Sequence, residues 1–269
     1  MISVAVAVVS SDDWTLAARA KVIAMPAMRM KLEDQADRRL AVSLAAVAGA
    51  VNAAGFFVAG RYTSHMTGTF SLLANALALG EVGDALVAVA VIAAFVAGAA
   101  VSTILINRAE RRLPKGAYAF SLLAEAALLF LGGLVEALAP EEMRPSLLIL
   151  GLSFTMGLQN AIVTRVSNAR IRTTHVTGMV TDIGIELGQL LDRRLTPRDD
   201  GIADADRRKL ALHIPTVSGF LLGGVVGVLG YQMIGSLLLP AAGCVLIAIA
   251  VPAIARRTMA GRAAAVLVK

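Results

Sequence analysis

The chain has 269 residues, 57% of them hydrophobic and 16% charged, with a mean hydropathy of +0.74, which excludes an ordinary soluble enzyme. Aromatic residues make up only 4%, so Ala, Leu, Val and Gly carry the apolar mass, as in close-packed membrane helices. The net charge of +6 is then a topology signal before it is a nucleic-acid signal, and the single cysteine, Cys244, allows no intrachain disulfide and no cysteine metal cluster. The expected fold class is an all-α polytopic membrane protein, not an enzyme, whose first partner is the lipid bilayer and which has no nucleic-acid partner.

Residues 1–39 combine five acidic and six basic side chains, and their apolar run at 2–9 is too short to cross a bilayer. No basic segment precedes that run, so it does not read as a signal peptide. The expectation is a disordered cytoplasmic leader, with Met28 or Met30 as alternative starts. Six apolar windows follow, at 40–60, 85–106, 117–139, 146–164, 210–231 and 233–255. Each reaches the ~20 residues that a ~30 Å hydrocarbon core demands. Two more, at 66–79 and 176–191, would extend only ~21–24 Å at ~1.5 Å per residue and are too short to span comfortably.

Basic residues decide how the short windows are placed. With six spans and both short helices re-entrant, 23 of the 25 Lys and Arg residues fall on the cytoplasmic side and only Arg61 and Arg144 fall outside. If the short helices also crossed, the division would be 17 against 8. The positive-inside rule therefore favours six spans, with both termini and the loops at 107–116 and 192–209 cytoplasmic.

The two halves of the chain repeat. Gly49-Ala-Val-Asn52-Ala53 returns as Gly157-Leu-Gln-Asn160-Ala161, and Ser64-His65-Met66-Thr67-Gly68 returns as Thr174-His175-Val176-Thr177-Gly178. The chain has three histidines, and two of them open an H-x-T-G. Small residues recur as well: Ala94, Gly98 and Ser102 match Gly219, Gly223 and Gly227, a four-residue spacing that forms a helix-packing ridge and a candidate face for a homo-oligomer. Each unit has three crossings, an odd number, so the second must be inverted relative to the first. This divides the chain into a leader at 1–39, a first repeat at 40–139, a second, inverted repeat at 146–255 and a cytoplasmic tail at 256–269. The starts of the two short helices are then expected to approach each other near mid-membrane.

The paired motifs, S-H-M-T-G-T-F at residues 64–70 and T-H-V-T-G-M-V-T-D-I-G-I-E-L-G at 174–188, on a basic-looped apolar chain, resemble the YoaK-like family of bacterial multi-pass membrane proteins. The resemblance covers roughly residues 36–258. It implies a bacterial cytoplasmic (inner) membrane protein and brings neither a substrate nor a catalytic residue.

Candidate site residues follow from position. His65, Thr67 and Gly68, with His175, Thr177 and Gly178, open the short helices, where two half-helix N-termini would present a positive pole to a small anion or polar solute. The competing reading is structural capping by Thr67 or Ser64 and by Thr177 or Thr174. Asn52 and Asn160 lie inside spans and are expected to bond the broken backbone beside them. Glu125 sits well inside the third span, where a carboxylate by default marks a pathway or proton site, although it can also be a neutral group bonded to a serine. Asp182 and Glu186 share a helix face with His175 and read either as proton-coupling groups or as a solvated face near the cytoplasmic mouth. His213 reads as interfacial. No metal-ligand spacing, phosphate loop or nucleophile elbow occurs, so no metal, cofactor or catalytic residue is assigned. The function expected is a secondary transporter or channel for a small polar or anionic solute, with protons as the coupling ion; the alternative is a non-transporting membrane scaffold or regulatory subunit.

Overall fold

The computed structural model describes residues 38–58, 60–111, 117–166, 174–196 and 202–267, and within these all regular structure is helical. The helices are α1 (Arg38–Val58), α2 (Met66–Leu79), α3 (Val82–Glu110) and α4 (Tyr118–Leu138). They continue as α5 (Arg144–Val166), α6 (Val176–Leu195), α7 (Ile202–Ile234) and α8 (Leu238–Leu267). A 3-10 turn at Gly235–Leu237 separates the last two. The leader expected at 1–39 lies outside the described residues except for its last two positions, which begin α1.

Among the described residues five stretches are long and apolar enough to cross a membrane: Arg38–Val58, Val82–Glu110, Tyr118–Leu138, Arg144–Arg165 and Asp206–Pro252. The last is 47 residues long, which as one straight helix would measure ~70 Å, more than twice a bilayer core. It is not straight. Gly235, with φ of +54°, and the 3-10 turn that it opens divide it between α7 and α8. The short apolar helix α2 occupies the window expected for it, whereas α6 runs four residues past the expected end, through Asp192, Arg193 and Arg194 to Leu195. The expected loop at 192–209 is correspondingly reduced, because α6 and α7 extend into it from both sides.

From residue 40 onward the described residues form one compact unit. Within it α3 packs most extensively on α5, α4 packs on α8 and α5, α2 on α3, and α6 on α7. Leu44, Leu122, Leu129, Met156, Ile162 and Leu246 are fully buried in its core. Lipid offers apolar side chains the same environment as a neighbouring helix does, so helices in a membrane associate through close packing of small residues. The small-residue ridges show this. A methyl group at Gly98 of α3 would overlap the carbonyl of Phe154 on α5, and one at Gly157 of α5 would overlap the carbonyl of Phe95 on α3. The same reciprocal contact joins α1 and α7: a methyl at Gly49 meets the carbonyl of Phe220, and one at Gly223 meets that of Ala46. The glycine ridges on α3 and α7 are thus filled within the chain, by α5 and α1.

Hydroxyls inside the helices mostly serve their own backbone. Thr69, Ser71, Thr103, Thr155, Thr181 and Thr216 each donate to the carbonyl four residues earlier, at 2.7–3.2 Å. That local bond lets a hydroxyl remain in an apolar layer without another partner. Three buried hydroxyls depart from the pattern: Thr63, Ser102 and Ser153 have no hydrogen-bond partner for their side-chain oxygen among the described residues.

Candidate functional site

The first short helix begins where the chain turns back after α1. Gly60 adopts φ of +67°, a left-handed conformation that a side chain would strain, and its N–H donates to the carbonyl of Phe56. Residues 60–65 then run non-helically back along α1. Asn52 anchors them: its Oδ1 accepts the N–H of Ser64 at 3.2 Å and the Ser64 hydroxyl at 2.8 Å. Asn52 lies six residues, ~9 Å along the helix, before the end of α1, so the start of α2 is tied to that depth.

The N-cap residues, His65 of α2 and His175 of α6, make no side-chain cap bond, and among the described residues no bond shows the expected capping by Ser64, Thr67, Thr174 or Thr177. The Ser64 hydroxyl instead donates to Asn52, and the Thr174 hydroxyl to Asn160. Gly68 has a different role from packing: a methyl there would run into the His65 ring, 2.5 Å from Nδ1, so its absence lets the imidazole fold across the first turn of α2. Gly178, its counterpart, has no neighbouring atom within 4 Å in the direction of a Cβ, and His175 is exposed.

A cavity of about 360 Å³ opens beside this first motif, between the end of α1, residues 60–65, α2, α3 and α5. His65 and Gly68 line it, with Arg61, Thr63 and Ser153, and the rings of Phe56 and Tyr62 stack at 4.5 Å along its edge. Leu72, Ala88, Val91 and Ile149 form its apolar wall. Thr67 is exposed and does not line it. Thr63 and Ser153, whose hydroxyls have no partner among the described residues, are 1% and 0% exposed.

The second motif repeats the anchor. Asn160 Oδ1 accepts the Thr174 hydroxyl at 2.6 Å, and its Nδ2 donates to the Met156 carbonyl at 2.9 Å. Asn160 again lies six residues before the end of its helix. The neighbouring Gln159 links α5 to α1 by donating to the carbonyl of Leu44 at 3.3 Å. The helix that follows differs from its counterpart. Glu186 on α6 is buried and lies 3.2 Å from Nδ1 of His213 on α7, which is also buried. His213 is therefore a buried partner of Glu186, and Glu186 is not on a solvated face; Asp182, one turn earlier, is exposed. In the first half the matching positions are Ala76 and Ala88, both buried. Farther along the same seam, Asp206 is 1% exposed, pairs with Arg193 at 3.1 Å and Lys209 at 3.6 Å, and accepts the Gln189 amide at 3.0 and 3.1 Å.

The expected meeting of the two short helices does not take place. α2 and α6 make no contact with each other, since each is held near the end of its own long helix by its asparagine anchor. Glu125 on α4 is fully buried, neither of its oxygens has a hydrogen-bond partner among the described residues, and it does not line the cavity. α4 and α6 are not in contact, so Glu125 stands apart from Asp182 and Glu186. Among the described residues no group of three or more His, Cys, Asp or Glu side chains is placed to hold a metal ion. Sequence reasoning missed Arg61, Thr63 and Ser153. Of these only Arg61 carried a signal, as one of two basic residues left on the outer side.

The apolar helices and their small-residue packing define a multi-pass α-helical membrane protein. A family model described as "protein of unknown function (DUF1275)" matches residues 40–251, and the chain belongs to that family. No curated protein and no solved structure matches it.

Proposed function

We propose that the protein is a secondary transporter or channel for a small polar or anionic solute, and that the cavity beside His65 is the vestibule where the solute binds. The cavity itself carries this reading. It is of ligand size, lies against a broken, non-helical segment, and is lined by Thr63 and Ser153, whose buried hydroxyls have no partner among the described residues. Most hydroxyls inside the helices bond their own backbone, and these two depart from that where they border the cavity.

The proposed arrangement is six spans and two re-entrant helices in two inverted repeats, with both termini on the cytoplasmic side of a bacterial inner membrane. The matched contacts support it: Asn52 with Ser64 and Asn160 with Thr174, and the reciprocal glycine contacts of α3 with α5 and of α7 with α1. The YoaK-like resemblance of the motifs supports the same membrane. In this arrangement the two asparagine anchors lie ~9 Å below opposite faces, leaving ~12 Å of a ~30 Å core between them. The motifs then form two separate vestibules, the second carrying the Glu186–His213 pair. Glu125 and Glu186 are the candidate proton-coupling groups of this reading, being buried carboxylates inside the helical bundle.

Proteoliposome counterflow with formate, acetate, butyrate and glycerol tests the proposal. Uptake above that of protein-free vesicles is expected for at least one of them and is reduced by His65→Ala and Ser153→Ala. Flux from none of the four, by protein that is monodisperse and inserted, favours the scaffold reading.

A further inference from the structure

We infer that the cavity beside His65 selects a small organic monocarboxylate. This deepens the vestibule reading and rests on it. The cavity is rich in donor residues and lacks acids: Arg61, His65, Thr63 and Ser153 line it, and among the described residues no Asp or Glu does. The Thr63 and Ser153 hydroxyls are buried at its wall and have no partner among the described residues, which leaves each with a donor to offer an oxyanion that reaches it. Arg61 supplies the charge. Its guanidinium lies 3.6 Å from the Asp84 carboxylate, with the two side chains 38% and 59% exposed, and an ion pair so open to solvent competes weakly with a ligand. The apolar lining, of Leu72, Ala88, Val91 and Ile149, cannot replace the water shell of an inorganic oxyanion but matches a short hydrocarbon body. A carboxylate head with a few apolar carbons satisfies both. The second half of the chain differs, since an acid, Glu186, takes the place of Ala76.

The test uses the full chain with Cys244→Ser, which removes the exposed cysteine, and Ser71→Cys, which puts a thiol on the exposed, cavity-lining face of α2. The rate of modification by a small methanethiosulfonate is measured with butyrate, with its neutral isostere butyramide, and with inorganic phosphate. Butyrate is expected to slow labelling at least about tenfold, while the other two leave it unchanged. Arg61→Gln should remove the butyrate effect, because it deletes the positive charge that the cavity lining offers the carboxylate. Equal protection by butyramide overturns the anionic assignment and leaves the vestibule standing. Equal protection by phosphate overturns the organic one. Protection by none of the three, with normal labelling, overturns the monocarboxylate proposal. If the thiol at position 71 and one placed by Ser153→Cys both resist modification, the cavity is closed and the vestibule reading falls as well.

Discussion

Replacing Asn52 by alanine removes the acceptor that ties residues 60–65 to α1. In the native chain its Oδ1 takes two donors from Ser64, the backbone N–H at 3.2 Å and the hydroxyl at 2.8 Å, at a position only 7% exposed. The hydroxyl can rotate to another acceptor, but the N–H is fixed by the backbone, so the variant strands one donor in a closed space at a cost of ~1–3 kcal/mol. Asn160→Ala differs in kind. It breaks a side-chain bond from Thr174 and removes a donor from the Met156 carbonyl, but strands no backbone N–H, so its cost is ~0.5–1.5 kcal/mol. For chains of about this size 1 kcal/mol corresponds to ~2–4 °C, which places the melting of Asn52→Ala about 2–12 °C below wild type and that of Asn160→Ala about 1–6 °C below. Thermal unfolding of the purified protein in detergent, followed by circular dichroism, measures both. Asn52→Asp, which retains an acceptor, should recover part of the loss. An unchanged melt for Asn52→Ala, or a larger loss for Asn160→Ala, would refute the assignment of the asparagine as anchor of a stranded backbone donor.

Three further outcomes follow from the same structure. Glu186→Ala and His213→Ala should each cost ~1–3 kcal/mol by leaving a buried polar partner, while the double variant, which reproduces the Ala76 and Ala88 pair of the first half, costs less than their sum; additive losses in a denaturation series would show that the pair is not coupled. Gly157→Ala and Gly49→Ala, which force a methyl into the Phe95 and Phe220 carbonyls, should lower stability by similar amounts, at least ~1–3 kcal/mol each, and a tolerated change at either site contradicts the close helix approach. Cysteines placed at Ala139 and Gly201 should label with an impermeant reagent in intact cells at 139 but not at 201, and the reverse pattern would invert the topology.

Composition and length alone identify an all-helical membrane chain, because the cost of burying a polar backbone in lipid leaves few other solutions. The apolar run of α2, bounded by His65 and Gly80, is equally legible, as are the small-residue spacings of Gly98 and Gly223, since each is written in consecutive positions of one helix. Which helix meets which is not written there. α3 is apolar on nearly every face, so its sequence has no stripe to show that Gly98 faces Phe154 on α5 and that Leu86 and Val96 stay exposed. The pairing of Glu186 with His213 and the convergence of Arg61, Thr63 and Ser153 on one cavity join residues far apart in the chain, and only packing brings them together. The separation of α2 from α6 is of the same kind. Two identical motifs invite a shared site, but each is bonded to its own long helix six residues before that helix ends, and hydrogen-bond reach from those two anchors leaves the motifs apart.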